Sequence, residues 1–132
     1  PQKGTLFVSV KDSDKAKILP VIRSFSKQGF KILATSGTAQ FLIDGGVKTK
    51  IINKVSQGSP HCVDALLEDK IDIVINTTET RKSINDSFGI RRTALIKNIP
   101  YSLTVSGARA CINSIKRLKA EDITVNPITN FH

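Results

Sequence analysis

The sequence predicts an α/β fold, a three-layer sandwich of about five parallel strands flanked by helices. Three observations predict it. Short β-branched runs alternate with segments whose apolar residues recur at i, i+4 and i+7, so strand and helix succeed one another about five times. The strand-like runs are apolar on both faces, as strands are when crossover helices cover both sides of a parallel sheet. And 132 residues without a repeat or a low-complexity linker fit one domain, residues 1–132, long enough to bury a real core.

The first strand is Thr5–Val10 (TLFVSV). From Asp14 to Gln28, Ile18, Ile22 and Phe25 mark a helical face, with Ser13 as its N-cap and Gly29 as its stop. Pro20 falls inside this segment and implies either a kink or a late start. Phe30–Ala34 reads as the second strand, Ala39–Asp44 as a short helix ended by Gly45-Gly46, and Thr49–Ile52 as the third strand. His61–Glu68 looks helical, with Val63, Leu66 and Leu67 as its apolar face. Ile71–Asn76 (IDIVIN) is the clearest strand of the chain. Ser87–Lys97 is expected to be helical and to end before Pro100, and Tyr101–Val105 is the fifth strand. Ser106 then caps a last helix striped by Ala108, Cys111, Ile112, Ile115 and Leu118, and residues 121–132 read as a tail.

Composition narrows the function. Twenty Lys and Arg against eleven Asp and Glu give a net charge of +9, which favours phosphate-bearing partners. One Tyr and no Trp provide no stripe of stacking aromatics for single-stranded nucleic acid, and neither zinc-finger spacing nor an RNA-recognition signature is present. No apolar run approaches the ~20 residues of a membrane span. Two cysteines, Cys62 and Cys111, are too few for a disulfide scaffold and lack metal-ligand spacing with the two histidines, so buried free thiols in a reducing cytoplasm are expected, with no metal site. Pro1 in place of Met suggests a segment cut from a longer chain.

In open α/β sheets ligands sit outside the carboxyl ends of the strands. The residues just past each predicted strand are consistently polar: Lys11 to Lys15 after the first, Thr35, Ser36, Gly37 and Thr38 after the second, Asn53 and Lys54 after the third, Asn76, Thr77 and Thr78 after the fourth. Gly37 allows close approach to a helix N-terminus, Thr35 and Thr38 offer hydroxyls, and Lys15 and Lys54 supply charge, which together make an anion pocket. A Ser or Thr before a helix is commonly only a cap, and a lone lysine is commonly solvated. It is the convergence on one edge that carries the reading.

The segments ATSGTA (34–39), NKVSQGSPH (53–61), VINTT (74–78) and IRRTAL (90–95), in this order and spacing, resemble the C-terminal regulatory domain of the large subunit of bacterial carbamoyl phosphate synthetase, whose fold is shared with methylglyoxal synthase. The resemblance covers about residues 3–120. It implies a methylglyoxal-synthase-like, Rossmann-type sheet and an allosteric, non-catalytic module that binds a nucleotide monophosphate of the UMP or IMP type. The matching effector contacts are Lys15, Thr35, Gly37, Thr38, Lys54, Asn76, Thr77 and Thr78. Implied partners are the remainder of the large subunit and its glutaminase small subunit, in pyrimidine and arginine synthesis. The domain itself would hold no cofactor; ATP, Mg or Mn, and K would serve the parent ligase. A second effector position of the family, for ornithine, carries a Tyr-Asp-Thr run. Here that run reads Tyr101, Ser102 and Leu103, so Tyr101 survives but the carboxylate an ammonium needs does not.

Two other readings compete. Methylglyoxal synthase needs a carboxylate base and an imidazole. Lys11 and Asp12 stand where that family has its histidine, and the loop after the third strand reads Gly58-Ser59-Pro60-His61 with no carboxylate until Asp64. His61 and Asp86 remain, better read as a helix start and as a cap or solvated loop residue. A basic nucleic-acid surface would rest on Arg81, Lys82, Arg91, Arg92, Lys97, Lys116, Arg117 and Lys119, charges that a solvated or docking face explains as well.

Overall fold

The computed structural model describes residues 4–52, 68, 70–77 and 81–129, with side chains for all of these except 81–88 and 121–129. The elements are β1 (Thr5–Ser9), α1 (Asp12–Lys27), β2 (Lys31–Ala34), α2 (Ser36–Asp44), β3 (Lys50–Ile51), β4 (Ile73–Asn76), α3 (Arg81–Ile96), β5 (Tyr101–Ser102) and α4 (Val105–Thr129). The five strands form one sheet in the order β3-β2-β1-β4-β5, every pair parallel. The α/β sandwich is therefore as the alternation predicts. Helices cover both faces because alternate residues of each central strand are apolar on opposite sides. Leu6, Val8, Ile32, Ala34, Ile73 and Ile75 meet Ile18, Ile22 and Phe25 of α1, Leu42 of α2 and Ile112 of α4. Phe7 and Val74 turn the other way, onto Ile90 and Ala94 of α3.

Three helices end in the same device. The chain passes through a left-handed residue, Gly29 (φ 98°), Gly46 (φ 87°) or Asn98 (φ 57°), and the next amide reaches back to the third residue from the helix end. These bonds are Phe30 N–H to Phe25 O (3.2 Å), Val47 N–H to Leu42 O (2.9 Å) and Ile99 N–H to Ala94 O (2.8 Å). Each bond satisfies one of the last carbonyls and fixes the exit of the chain, and in each the two residues joined belong to the same apolar cluster. Phe25 and Phe30 meet edge to face with ring centroids 5.2 Å apart.

Several boundaries differ from those the sequence predicts. Helix α1 starts at Asp12 with Lys11 as its N-cap, ahead of Ser13, and runs through Pro20. The late start is excluded, and Pro20 is tolerated because it and Ala16 are exposed, leaving the unpaired Ala16 carbonyl to water. Helix α2 begins at Ser36, three residues before Ala39. Helix α3 starts at Arg81 rather than Ser87, and β5 is only two residues long. Thr104, not Ser106, caps α4, its Oγ1 accepting the Gly107 amide at 3.0 Å. α4 runs to Thr129, into the segment 121–132 expected as a tail; no glycine or proline interrupts it between Gly107 and Pro127. On its stripe Ala108, Ile112 and Ile115 are buried, Cys111 is partly buried, and Leu118 is exposed. The expected helix at His61–Glu68, and Cys62 within it, lie outside the described residues apart from Glu68.

Candidate functional site

The sheet order reverses direction between β1 and β4, so the crevice at their carboxyl ends is where a ligand of an open α/β sheet is expected. Alternation sets what points there. Ser9 and Asn76 are register partners and carry the parity of Phe7 and Val74, as Thr35 does one position past β2. Ser9 Oγ lies 3.2 Å from Thr35 Oγ1, and Asn76 Nδ2 donates to the Tyr101 hydroxyl at 2.7 Å. The next residues tie the loops together. Lys11 N–H donates to Thr77 Oγ1 (2.9 Å), Thr77 N–H to Ser9 O (2.9 Å), and Val10 N–H to Thr38 Oγ1 (3.2 Å).

These contacts give Thr35, Thr38, Asn76 and Thr77 a structural duty: all four are buried. A hydroxyl has two lone pairs and one proton. Thr38 and Thr77 accept a backbone amide and keep the proton, the half of the group that an anion would use. Thr35 is the N-cap of α2 but makes no capping bond, its hydroxyl lying instead on Ser9. The first amides of α2 are thus left without the usual side-chain cap. Lys15, one turn into α1, stands over them: its Nζ is 3.6 Å from where a Cβ on Gly37 would lie. Asp12 holds that ammonium at 2.7 Å, from a position far more exposed than Lys15 itself.

Of the eight residues predicted from sequence, Lys15, Thr35, Gly37, Thr38, Asn76 and Thr77 fall on this one edge. Lys54 and Thr78 lie outside the described residues, as do His61 and Asp64, and the side chain of Asp86 is not described. Tyr101 joins the same edge through Asn76 rather than standing apart. From sequence alone Ser9 has no site role, and Asp12 is placed on this edge without the ion pair it forms. Ser9, a polar residue at the carboxyl end of an otherwise apolar run Leu6–Val8, carried a signal; the ion pair of Asp12 follows from its i, i+3 spacing to Lys15. Among the described residues no group of three or more His, Cys, Asp or Glu side chains could hold a metal ion, and no helix is long and apolar enough to cross a membrane.

A family model for the MGS-like domain matches residues 17–103. The chain belongs to the MGS-like domain family. As an MGS-like domain it is similar over nearly its whole length to large chains of carbamoyl phosphate synthase. It is 46% identical over 131 residues to that of Rhizobium meliloti, covering 99% of this chain and 11% of the relative. It is 45% identical over 128 residues to that of Methanobrevibacter smithii, covering 97% and 12%. With the C-terminal section of the large chain of Methanopyrus kandleri it shares 40% over 133 residues, covering 100% and 24%. The MGS-like domain thus spans only a small part of these relatives. The crystal structure of methylglyoxal synthase from Elizabethkingia anophelis superimposes with a TM-score of 0.64 at 17% identity, covering 85% of this chain and 78% of that one, which shows the shared fold.

Proposed function

We propose that this MGS-like domain is the allosteric module of a carbamoyl phosphate synthase large chain and binds a nucleotide monophosphate effector, of the UMP or IMP type, by its phosphate at the carboxyl edge of the sheet. The observation that carries the reading is the Lys15 ammonium poised over the uncapped first turn of α2, with Gly37 leaving the approach open. A cation, free amides and hydroxyl protons from three strand ends are the donor set that a phosphate dianion takes. Lys54 and Thr78 belong to the same proposal by their sequence positions. The similarity to synthase large chains over 97–100% of the domain supports the parent assignment. Within that parent, a cytoplasmic ligase using ATP, Mg or Mn and K with a glutaminase subunit, the domain would be non-catalytic. Its effector would act through a coupling free energy of about 1–3 kcal/mol on distant active sites.

A thermal-denaturation series with UMP, IMP, ornithine and N-acetylglutamate tests this. A ligand at a hundredfold excess over its Kd stabilises the fold by about 2.7 kcal/mol. UMP or IMP should raise the midpoint and Lys15→Ala should abolish the rise, at little cost in stability because the Asp12 carboxylate that pairs with Lys15 is itself exposed and stays hydrated without it. A nucleotide response untouched by Lys15→Ala would refute the pocket. Formation of methylglyoxal from dihydroxyacetone phosphate by the chain would refute the non-catalytic assignment.

A further inference from the structure

A second cleft opens on the same side of the molecule, between the start of α1 and the β5–α4 loop. Its volume is about 420 Å³, and it is lined by Lys11, Asp14, Lys17, Leu103, Thr104, Val105, Ser106 and Arg109. None of the eight residues assigned to the effector lines it. Three cationic side chains, Lys11, Lys17 and Arg109, face one carboxylate, that of Asp14. Among the described residues none of these three cations forms an ion pair, although Lys15 and Lys70 each do. The arrangement results from spacing. Lys11 is the N-cap of α1, Asp14 and Lys17 lie three residues apart on its first turns, and Ser106 and Arg109 are spaced likewise at the start of α4, so two helix starts turn polar groups to one gap. Leu103 and Val105 are the apolar residues of the lining, and the cleft is open to solvent, with Lys17, Ser106 and Arg109 exposed.

We propose that this cleft is a second, independent anion subsite that takes a phosphate group of a small molecule. Arg109 would grip the oxyanion through its planar fork, Lys17 and Lys11 would supply charge from the opposite wall, and the Ser106 hydroxyl would donate. Asp14 limits the site to one such group, because it offsets part of the positive charge and repels a second anion.

The test is a titration of the isotopically labelled 132-residue chain with inorganic phosphate, followed residue by residue in amide and arginine side-chain NMR spectra at constant ionic strength. The expected result is saturable shifts of the Ser106 amide and the Arg109 Nε–H. In Arg109→Gln the dissociation constant read at Ser106 should rise about tenfold or more. Lys17→Gln should weaken it in the same direction, and both positions are exposed enough to leave the fold intact. Lys15→Ala should leave the Ser106 shifts unchanged while removing those of Ser36 and Gly37, so the two sites fail separately. Shifts at Ser36 and Gly37 alone would overturn the second subsite and leave the effector site standing. Shifts at Ser106 that persist in Arg109→Gln, or that chloride reproduces at equal ionic strength, would overturn it as well.

Discussion

Replacing Thr38 by Val separates the two duties of the carboxyl edge. The Thr38 hydroxyl accepts the Val10 amide at 3.2 Å, and both residues are buried, with 3% and 7% of their surfaces exposed. Valine keeps the shape but cannot accept the bond, so the Val10 amide is left buried without a partner. That loss costs about 1–3 kcal/mol. For a chain of this size each kcal/mol moves the thermal midpoint by roughly 3–5 °C, so Thr38→Val should melt several degrees to more than ten below wild type. Thr38→Ser retains the oxygen and loses one methyl group, worth at most about 1 kcal/mol. Urea and thermal denaturation of the three proteins decide the matter. A Thr38→Val midpoint equal to wild type would show that the Val10 bond is of no consequence. Thr38→Ser falling as far as Thr38→Val would show that the methyl, not the hydroxyl, is what matters. Effector titrations at Thr38 must therefore be read against stability, and Lys15 is the cleaner probe of binding.

Three further outcomes are expected. Gly37→Ala places a methyl 3.6 Å from the Lys15 Nζ; the helix should tolerate it, while the midpoint rise given by UMP in thermal denaturation shrinks, and an undiminished response would contradict the proposed phosphate position. Burial pushes the Cys111 thiol above its ordinary range, so the folded state keeps its proton to higher pH than the unfolded state does. Stability should then fall as pH rises from the ordinary thiol range upward, and Cys111→Ala should reduce that slope in urea denaturation at a series of pH values. Lys119 Nζ donates to Gln28 O at 2.7 Å, closing the C-terminal end of α1 from α4; Lys119→Ala should cost about 1 kcal/mol by urea denaturation.

How much of this was legible in the sequence depended on whether the cause was local. Gly29 and Gly46 announced the ends of α1 and α2 because a left-handed residue is a local requirement, and the strands announced themselves by composition. The Asn98 turn was less visible, since Pro100 drew the boundary instead. What escaped was set by partners distant in the chain. The hydroxyl of Thr35 leaves its own helix for Ser9, 26 residues away, and Thr38 serves Val10, 28 residues away. No window of sequence holds both ends of such a bond. The starts of α3 and α4 moved for a related reason: Arg81, Lys82 and Thr104 look like loop residues until the helices beyond them are seen to need their first turns there. Of the candidate site, the residues were legible as a set because strand ends share an edge in this topology. Their division of labour was not.

On the proposed reading, that division is what would make the edge suit an anion better than a cation or a neutral group. Every backbone amide that meets a threonine there spends the acceptor side of the hydroxyl, as Val10 does on Thr38 and Lys11 on Thr77. The share each hydroxyl has left to offer a ligand includes its proton. The one charged side chain held above α2 is an ammonium, with three donors and no acceptor. A cation would meet the repulsion of the Lys15 ammonium and a desolvation penalty. An oxyanion meets proton donors that are already fixed by folding and need no reordering on binding, which is where preorganised sites gain their affinity. The same bonds that hold β1, α2 and the end of β4 in register therefore also aim the donors, so a variant that loosens the edge should weaken phosphate binding even where it removes no ligand contact. Ser9→Ala is the case in point. It frees the Thr35 hydroxyl from its 3.2 Å partner and lets it cap α2 instead. The helix should then gain stability in hydrogen exchange at Gly37 and Thr38 while nucleotide affinity falls; affinity that rises or holds would show that the diverted cap has no part in binding.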